Sequence, residues 1–187
     1  TVTIFSLIVP DKVDEQPDAN MSDATTLKAF LEYGKKNFPA EHNMFLFWDH
    51  GGGSVAGAIS DERYPGASMP LNDMKAAFAA VYPDTSNKKP FEIIGFDACL
   101  MATIDTAHNF KDYSNYLVAS EEIMPGNGLN YTPWLDAIAK NPQIEGAELG
   151  KLICDSYLAG CVSANTDRQA TYSVIDLNKL DPLLESY

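Results

Sequence analysis

The chain reads as an α/β protein, a three-layer, doubly wound, mostly parallel sheet with helices on both faces. Two features of the sequence predict this. The apolar runs at residues 44–48 (MFLFW) and 91–96 (FEIIGF) are of strand length and continuous rather than alternating, as expected of strands covered on both faces. Between the strand-like runs lie segments with the i, i+3, i+4 apolar spacing of amphipathic helices. Strands separated by whole helices cannot close as hairpins, so they pair in parallel through right-handed crossovers.

Residues 2–9 read as the first strand, followed by an acidic, proline-containing loop over residues 11–20. Ser22 or Asp23 can cap a helix whose apolar side is Leu27, Phe30 and Leu31, and Pro39 ends it. The strand 44–48 runs into a glycine-rich stretch, residues 50–68, without helical periodicity. Pro70 precedes a helix bearing Met74, Ala77, Phe78 and Val81 on one side. After the turn-rich 83–90 segment comes the strand 91–96, then a helix marked by Leu100, Ile104 and Ala107, and a strand at 116–119. Thr132 followed by Pro133 is the N-cap and first-turn proline of a helix carrying Trp134, Leu135 and Ile138. Leu149, Leu152 and Ile153 mark a further helix, residues 171–175 a last strand, and Asp176 the cap of a closing helix.

The 187 residues suit one domain, and 45% hydrophobic with 21% charged residues is an ordinary globular composition. Thirteen basic against 26 acidic residues leave a net charge of −13, which argues against nucleic acid or an anionic membrane as partner. No apolar run reaches the ~18 residues of a membrane-spanning helix. The cysteines, Cys99, Cys154 and Cys161, form an odd set without a CxxC pair, so neither a disulfide framework nor a zinc knuckle is expected. The chain begins at Thr1 without the basic start and small-residue cleavage site of a signal peptide, and stops at Tyr187 just inside a helix. We expect residues 1–187 to be a single domain truncated or processed at both ends.

Ligands of an open parallel sheet bind beyond the carboxyl ends of its strands. There the first buried strand runs into Asp49-His50-Gly51-Gly52-Gly53, and the second into Asp97-Ala98-Cys99. If the two strands are neighbours, ~4.8 Å apart, an imidazole and a thiol approach each other at their ends. Such a pair is a nucleophile and its proton partner: a thiolate attacks, and a nearby imidazolium or helix N-terminus lowers the thiol pKa. Cys99 precedes the expected helix at Leu100 and would have both kinds of support. The glycines after His50 let the backbone approach a bound peptide and offer N–H groups to an oxyanion. Either residue alone is more often structural; their joint placement carries the inference. The remaining candidates read as structural. Cys154 and Cys161 share a helix face and look like core, His42 lies at the amino end of its strand, and His108 sits on a helix near Asp105 and Asp112. The run Gly51-Gly52-Gly53-Ser54-Val55-Ala56 matches a dinucleotide fingerprint, but Gly57, Pro65, Gly66 and Pro70 postpone the helix that would face a pyrophosphate.

At these residues the sequence resembles the clostripain family of cysteine peptidases, of the same clan as caspases, legumains and gingipains. The resemblance rests on FLFWDHGGG (residues 45–53) and IIGFDACLMA (93–102), with support from NMSDATTLKAFLEYG (20–34), VASEE (118–122) and PGNGLNYT (125–132). It implies a caspase–hemoglobinase-like fold and a cysteine endopeptidase cutting after Arg or Lys, secreted or at the cell surface of a bacterium. His50 is implied as catalytic histidine, Cys99 as nucleophile, and the N–H groups of Gly51 and Cys99 as oxyanion donors. Asp97 is implied in the primary specificity pocket, where a carboxylate offsets the desolvation of a cationic side chain; capping a helix at Leu100 is its competing role. Glu121 and Glu122 are candidates for a further acidic pocket residue. Family members are commonly self-processed zymogens, and Arg63, on a Gly/Pro-rich loop near His50, is the expected cleavage site. Family members also carry a portion before the first match, so the missing part of the precursor is an expected partner. No cofactor is required by this reading. Calcium stays open: Asp11, Asp14, Glu15 and Asp18 supply oxygens without the glycine-bearing calcium-loop pattern. The alternatives are a catalytically silent peptide-binding module on the same fold and, more remotely, a flavodoxin-like small-molecule binder.

Overall fold

The computed structural model describes residue 16 and residues 18–186. The strand expected at residues 2–9, most of the acidic loop, and Asp11, Asp14 and Glu15 lie outside them.

Helix α1 (Ala24–Asn37) starts where Asp23 accepts a hydrogen bond from the Thr25 amide, one of the two caps expected. Strand β1 (Met44–Trp48) follows, then one helical turn, α2 (Gly53–Ala56), and a small antiparallel pair, β2 (Ala58–Ser60) with β3 (Ser68–Met69). These short elements are what the glycine-rich stretch becomes. The turn at α2 ends at Gly57, whose φ of 72° and whose proximity to the Met69 carbonyl (2.0 Å from an added Cβ) exclude any side chain. Helix α3 (Leu71–Val81) buries Met74, Ala77, Phe78 and Val81, as its periodicity requires. Then come β4 (Phe91–Asp97), α4 (Ile104–Phe110), β5 (Ser114–Ala119), α5 (Tyr131–Lys140), α6 (Gly146–Ser163), β6 (Ser173–Asp176) and, after a 3-10 turn capped by Asp176, α7 (Leu180–Leu184).

The main sheet has the order β1-β4-β5-β6, with β1, β4 and β5 parallel and β6 antiparallel at the edge. On one face, Phe47, Phe78, Phe96 and Phe110 form the centre of a core shared with α1, α3 and α4; Phe47 and Phe96 stack with centroids 4.6 Å apart. On the other, Ile93 and Val118 pack against Trp134 of α5 and Leu149, Ile153 and Tyr157 of α6. The three-layer, mostly parallel arrangement is the fold class expected.

Several local expectations are corrected. The last strand runs antiparallel because two helices, α5 and α6, separate it from β5: one helical pass returns a chain for a parallel strand, and a second pass leaves it at the opposite end. The helix expected to start at Leu100 starts at Ile104, capped by the Thr103 hydroxyl. Helix α5 is preceded by Asn130 rather than capped by Thr132. Phe30 and Leu135, assigned to buried helix faces, are exposed, and so is Trp48, because β1 is an edge strand among the described residues.

Candidate active site

β1 and β4 pair with Trp48 opposite Asp97, so the loops leaving their carboxyl ends start level. The Asp49 amide extends the contact one step, lying 3.4 Å from the Asp97 carbonyl. Two residues further the chains still touch: a Cβ added to Gly51 would lie 2.1 Å from the Cys99 carbonyl oxygen and 3.1 Å from its nitrogen. Only glycine fits there, and that close approach sets the backbone of the His50 loop against that of Cys99 at the ends of neighbouring strands. The Cys99 sulfur is half-buried and the His50 ring exposed.

Cys99 is followed not by a helix but by a left-handed residue, Leu100, with φ of 64°. Such backbone is disfavoured by about 1–2 kcal/mol for a side-chain-bearing residue and has to be enforced by its surroundings. Here the Leu100 amide bonds the Glu122 carbonyl at 3.1 Å, and the Ala102 amide bonds the Ser120 carbonyl at 2.9 Å. The Cys99 loop is thus fastened to the loop after β5, which returns one further bond: the Met124 amide donates to the Cys99 sulfur at 3.2 Å. A backbone N–H donated to the sulfur holds it in place. It takes the place of the helix N-terminus that the sequence suggested.

The His50 loop is held differently. Its carbonyl accepts from the Ile59 amide at 3.1 Å, and the carboxylate of Asp49 accepts from the Ser60 amide at 2.7 Å and hydroxyl at 3.3 Å. These bonds close the loop against β2 and leave the imidazole outside. The amides of Gly51 and Cys99 donate to no acceptor among the described residues, so both are available to a bound oxygen.

Asp97, two residues before Cys99, is buried. Its Oδ2 accepts from the Tyr131 hydroxyl at 2.7 Å and the Leu129 amide at 3.3 Å, and Gly128 packs over the carboxylate. Burial, then the bond to Asp97, hold the Tyr131 proton well above the ordinary phenol range, so Tyr131 acts as a fixed donor. The helix-capping alternative for Asp97 is removed, since no helix begins at Leu100. Glu121 is in the loop that braces Cys99, between Ser120 and Glu122. It accepts from the Ser173 hydroxyl and, with Glu122, Asp155 and Tyr157, borders a cavity of about 660 Å³. Arg63 is in the loop between β2 and β3, where its guanidinium binds both oxygens of Asp61 (3.2 and 3.0 Å) and the Ala19 carbonyl. The structure therefore brings the segments 50–51 and 97–99 together, turns Glu121 to Ser173 and its separate cavity, and makes Arg63 a clasp on Asp61 and Ala19.

Tyr131 and Met124 were not singled out from sequence. Tyr131 lies within the PGNGLNYT match, so a signal existed; the Met124 contact is made by backbone, which leaves no trace in residue type. Cys161 is buried as expected, whereas Cys154 is half-buried, with its thiol pushed up to about 11, first by burial and then by Asp155 and Glu121. Among the described residues no group of three or more His, Cys, Asp or Glu side chains gathers to hold a metal. Nor is any helix among them long and apolar enough to cross a membrane.

The model of the clostripain family matches residues 9–187. This chain belongs to the clostripain family. A curated relative, clostripain of Hathewaya histolytica, is 28% identical over 134 residues, covering 65% of this chain and 25% of the relative. Among solved structures, a secreted cysteine protease from Bacteroides thetaiotaomicron bound to an irreversible peptide inhibitor superposes with a TM-score of 0.67 at 20% identity, over 90% of this chain and 49% of its own. An inactive zymogen protease from Parabacteroides distasonis gives 0.66 at 23% identity, over 88% and 42%. At these identities the superpositions establish the fold. The chain spans a quarter of the curated relative and less than half of each of these solved proteins.

Proposed function

We propose that this chain carries the catalytic core of a secreted bacterial cysteine endopeptidase that cuts peptide bonds after Arg or Lys. One observation carries the reading: the glycine-only contact at Gly51 sets the His50 and Cys99 loops against each other, two residues beyond the buried Asp97. The Cys99 thiolate attacks the scissile carbonyl, forming a C–S bond while the carbonyl π electrons move to oxygen. That oxyanion is received by the amides of Gly51 and Cys99. His50 protonates the departing amine as the C–N bond breaks, leaving a thioester. It then takes a proton from water, whose hydroxide displaces Cys99 and restores the thiolate. Asp97 binds the cationic side chain of the residue before the cut (P1), with Glu121 at the pocket's outer side. Calcium enters none of these steps.

This chain covers less than half of each of these relatives, and the outer edge of β1 is unpaired among the described residues. We place the remaining precursor there. Self-processing after Arg63 belongs to the same proposal, with one structural condition: Arg63 has to leave Asp61 before its own bond can reach a Cys99.

Fluorogenic peptides ending in Arg or Lys, assayed on the full-length protein and its Cys99→Ala variant, test the reading. Turnover is expected to fall by about 10⁴-fold or more in the variant. Binding without turnover in both proteins would identify a silent peptide-binding module instead. Intact mass of the same two samples tests processing: a chain beginning at Tyr64 in the wild type alone supports it, and its absence from both, or equal presence in both, removes it.

A further inference from the structure

The Tyr157 ring is buried in the core between α6 and the sheet, against Tyr172 with centroids 5.2 Å apart, yet its hydroxyl finds no hydrogen-bond partner of good geometry among the described residues. Native structures leave few buried polar groups in this condition, and an orphaned hydroxyl carries a desolvation penalty of about 1–3 kcal/mol. Its position accounts for it. Ser156, the preceding residue, bonds the Asn130 carbonyl at 3.2 Å, which fixes this turn of α6 beside the Tyr131 that holds Asp97. The neighbouring Tyr172 hydroxyl reaches the carbonyl of Phe96, the residue before Asp97, at 2.8 Å. Burial, followed by Cys161, Asp97 and Cys99 alongside, raises the Tyr157 pKa, so the hydroxyl stays protonated. Of these neighbours the Cys161 sulfur is only a weak acceptor.

We propose that the Tyr157 hydroxyl is a specificity-determining contact of the primary pocket, accepting a hydrogen bond from the P1 ammonium or guanidinium while Asp97 takes the charge. This deepens the basic-P1 reading and rests on it. Asp97 offers a charge but has one oxygen already engaged by Tyr131 and Leu129. A cationic P1 head carries several N–H donors, each needing an acceptor once water is expelled. Tyr157 supplies a neutral acceptor whose unmet capacity in the free protein is the counterpart of that need. A site built this way discriminates strongly against side chains lacking the donors, because both partners are then left unpaired.

The test compares full-length wild type with Tyr157→Phe on matched peptides with Arg, Lys or norleucine at P1. The substitution keeps the ring and removes only the orphaned oxygen, so the fold is expected to survive and the melting temperature to rise by roughly 2–4 °C. For Arg or Lys, kcat/KM should fall about tenfold or more, as for loss of a hydrogen bond to a charged group, while norleucine cleavage should change less than twofold. A more stable protein with a selectively weakened response to cations is a combination a packing role does not give. Equal loss on all three peptides, a lowered melting temperature, or no change on any of them overturns the proposal. A wild type that cleaves after norleucine but not after Arg or Lys overturns the basic-P1 reading itself, and is seen before the variant is examined.

Discussion

The two loops that meet at Gly51 and Cys99 differ in how tightly they are held. The Cys99 loop leaves a strand flanked on both sides, turns through a left-handed Leu100, and is fastened to the loop after β5 at Leu100, at Ala102 and at the sulfur itself. The His50 loop leaves a strand that is at the edge among the described residues and is tied chiefly to its own hairpin, through Ile59 and through Asp49 to Ser60. Single bonds run outward from the Asp49 amide to Asp97 and from Ser54 to Thr103. Its imidazole is exposed, while the thiol is half-buried. The difference suits the tasks proposed for them. A nucleophile has to arrive at one atom from one direction, whereas a proton carrier serves the leaving amine first and water afterwards, and gains from freedom to move. An acyl-transfer site of this kind needs one fixed wall rather than two.

The comparison breaks most easily at Leu100. Leu100→Gly removes the left-handed strain of about 1–2 kcal/mol. Against this stand the greater chain entropy of glycine, about 0.5–1 kcal/mol, and the loss of a partly exposed side chain. Net stability should therefore shift by less than about 1 kcal/mol, while kcat falls about tenfold or more because Cys99 loses its aim. Melting curves and single-turnover rates on one preparation decide it. Unchanged kcat in a normally folded variant would mean that the rigidity of the Cys99 loop has no part in catalysis.

A smaller effect is expected at the other loop. Asp49→Ala frees the Ser60 amide and lets the His50 loop open from its hairpin. A fall of about three- to tenfold in kcat/KM follows, since general acid–base help is weakened rather than lost. Asp49→Asn keeps a carbonyl oxygen facing Ser60 and should remain within about twofold of wild type, because the bond to be kept is to a neutral amide. A loss at Asp49→Ala as large as at Leu100→Gly would erase the proposed asymmetry.

How much of this was legible in the sequence follows from the range of the interactions involved. Continuous apolar strands, each ending in a chemically loaded turn, are local signals, and they located the strands at residues 44–48 and 91–96 and the turns that carry His50 and Cys99. The contact at Gly51 was foreshadowed by a glycine run, because close backbone approach writes itself into residue type. The left-handed Leu100 could not be read: it depends on carbonyls of Ser120 and Glu122, some twenty residues on, and its own neighbours spell a helix. Tertiary placement likewise decided the exposure of Phe30 and the clasp from Arg63 to Ala19. Each depends on what lies across a gap rather than along the chain.

The weakest expected effect lies at the outer end of the His50 loop, where Asp61 joins Arg63 to the 19–21 segment. The Arg63 guanidinium first, then the amides of Met21 and Arg63, hold the Asp61 carboxyl well below the usual carboxylate range. A carboxyl whose folded pKa lies below its unfolded value near 4 contributes stability that is complete above that value. The contribution fades as pH falls toward the folded pKa. Wild type should thus lose melting temperature more steeply between about pH 5 and pH 3 than Asp61→Asn, the two curves running parallel above about pH 6. The substitution also weakens the hold on Arg63, so any self-cleavage after Arg63 should speed up in Asp61→Asn at neutral pH while peptide turnover stays level. Parallel curves across the whole acid range would show that the clasp contributes nothing. Faster nicking together with faster peptide turnover would show that it restrains the His50 loop as well, and that this loop is less free than its exposed ring suggests.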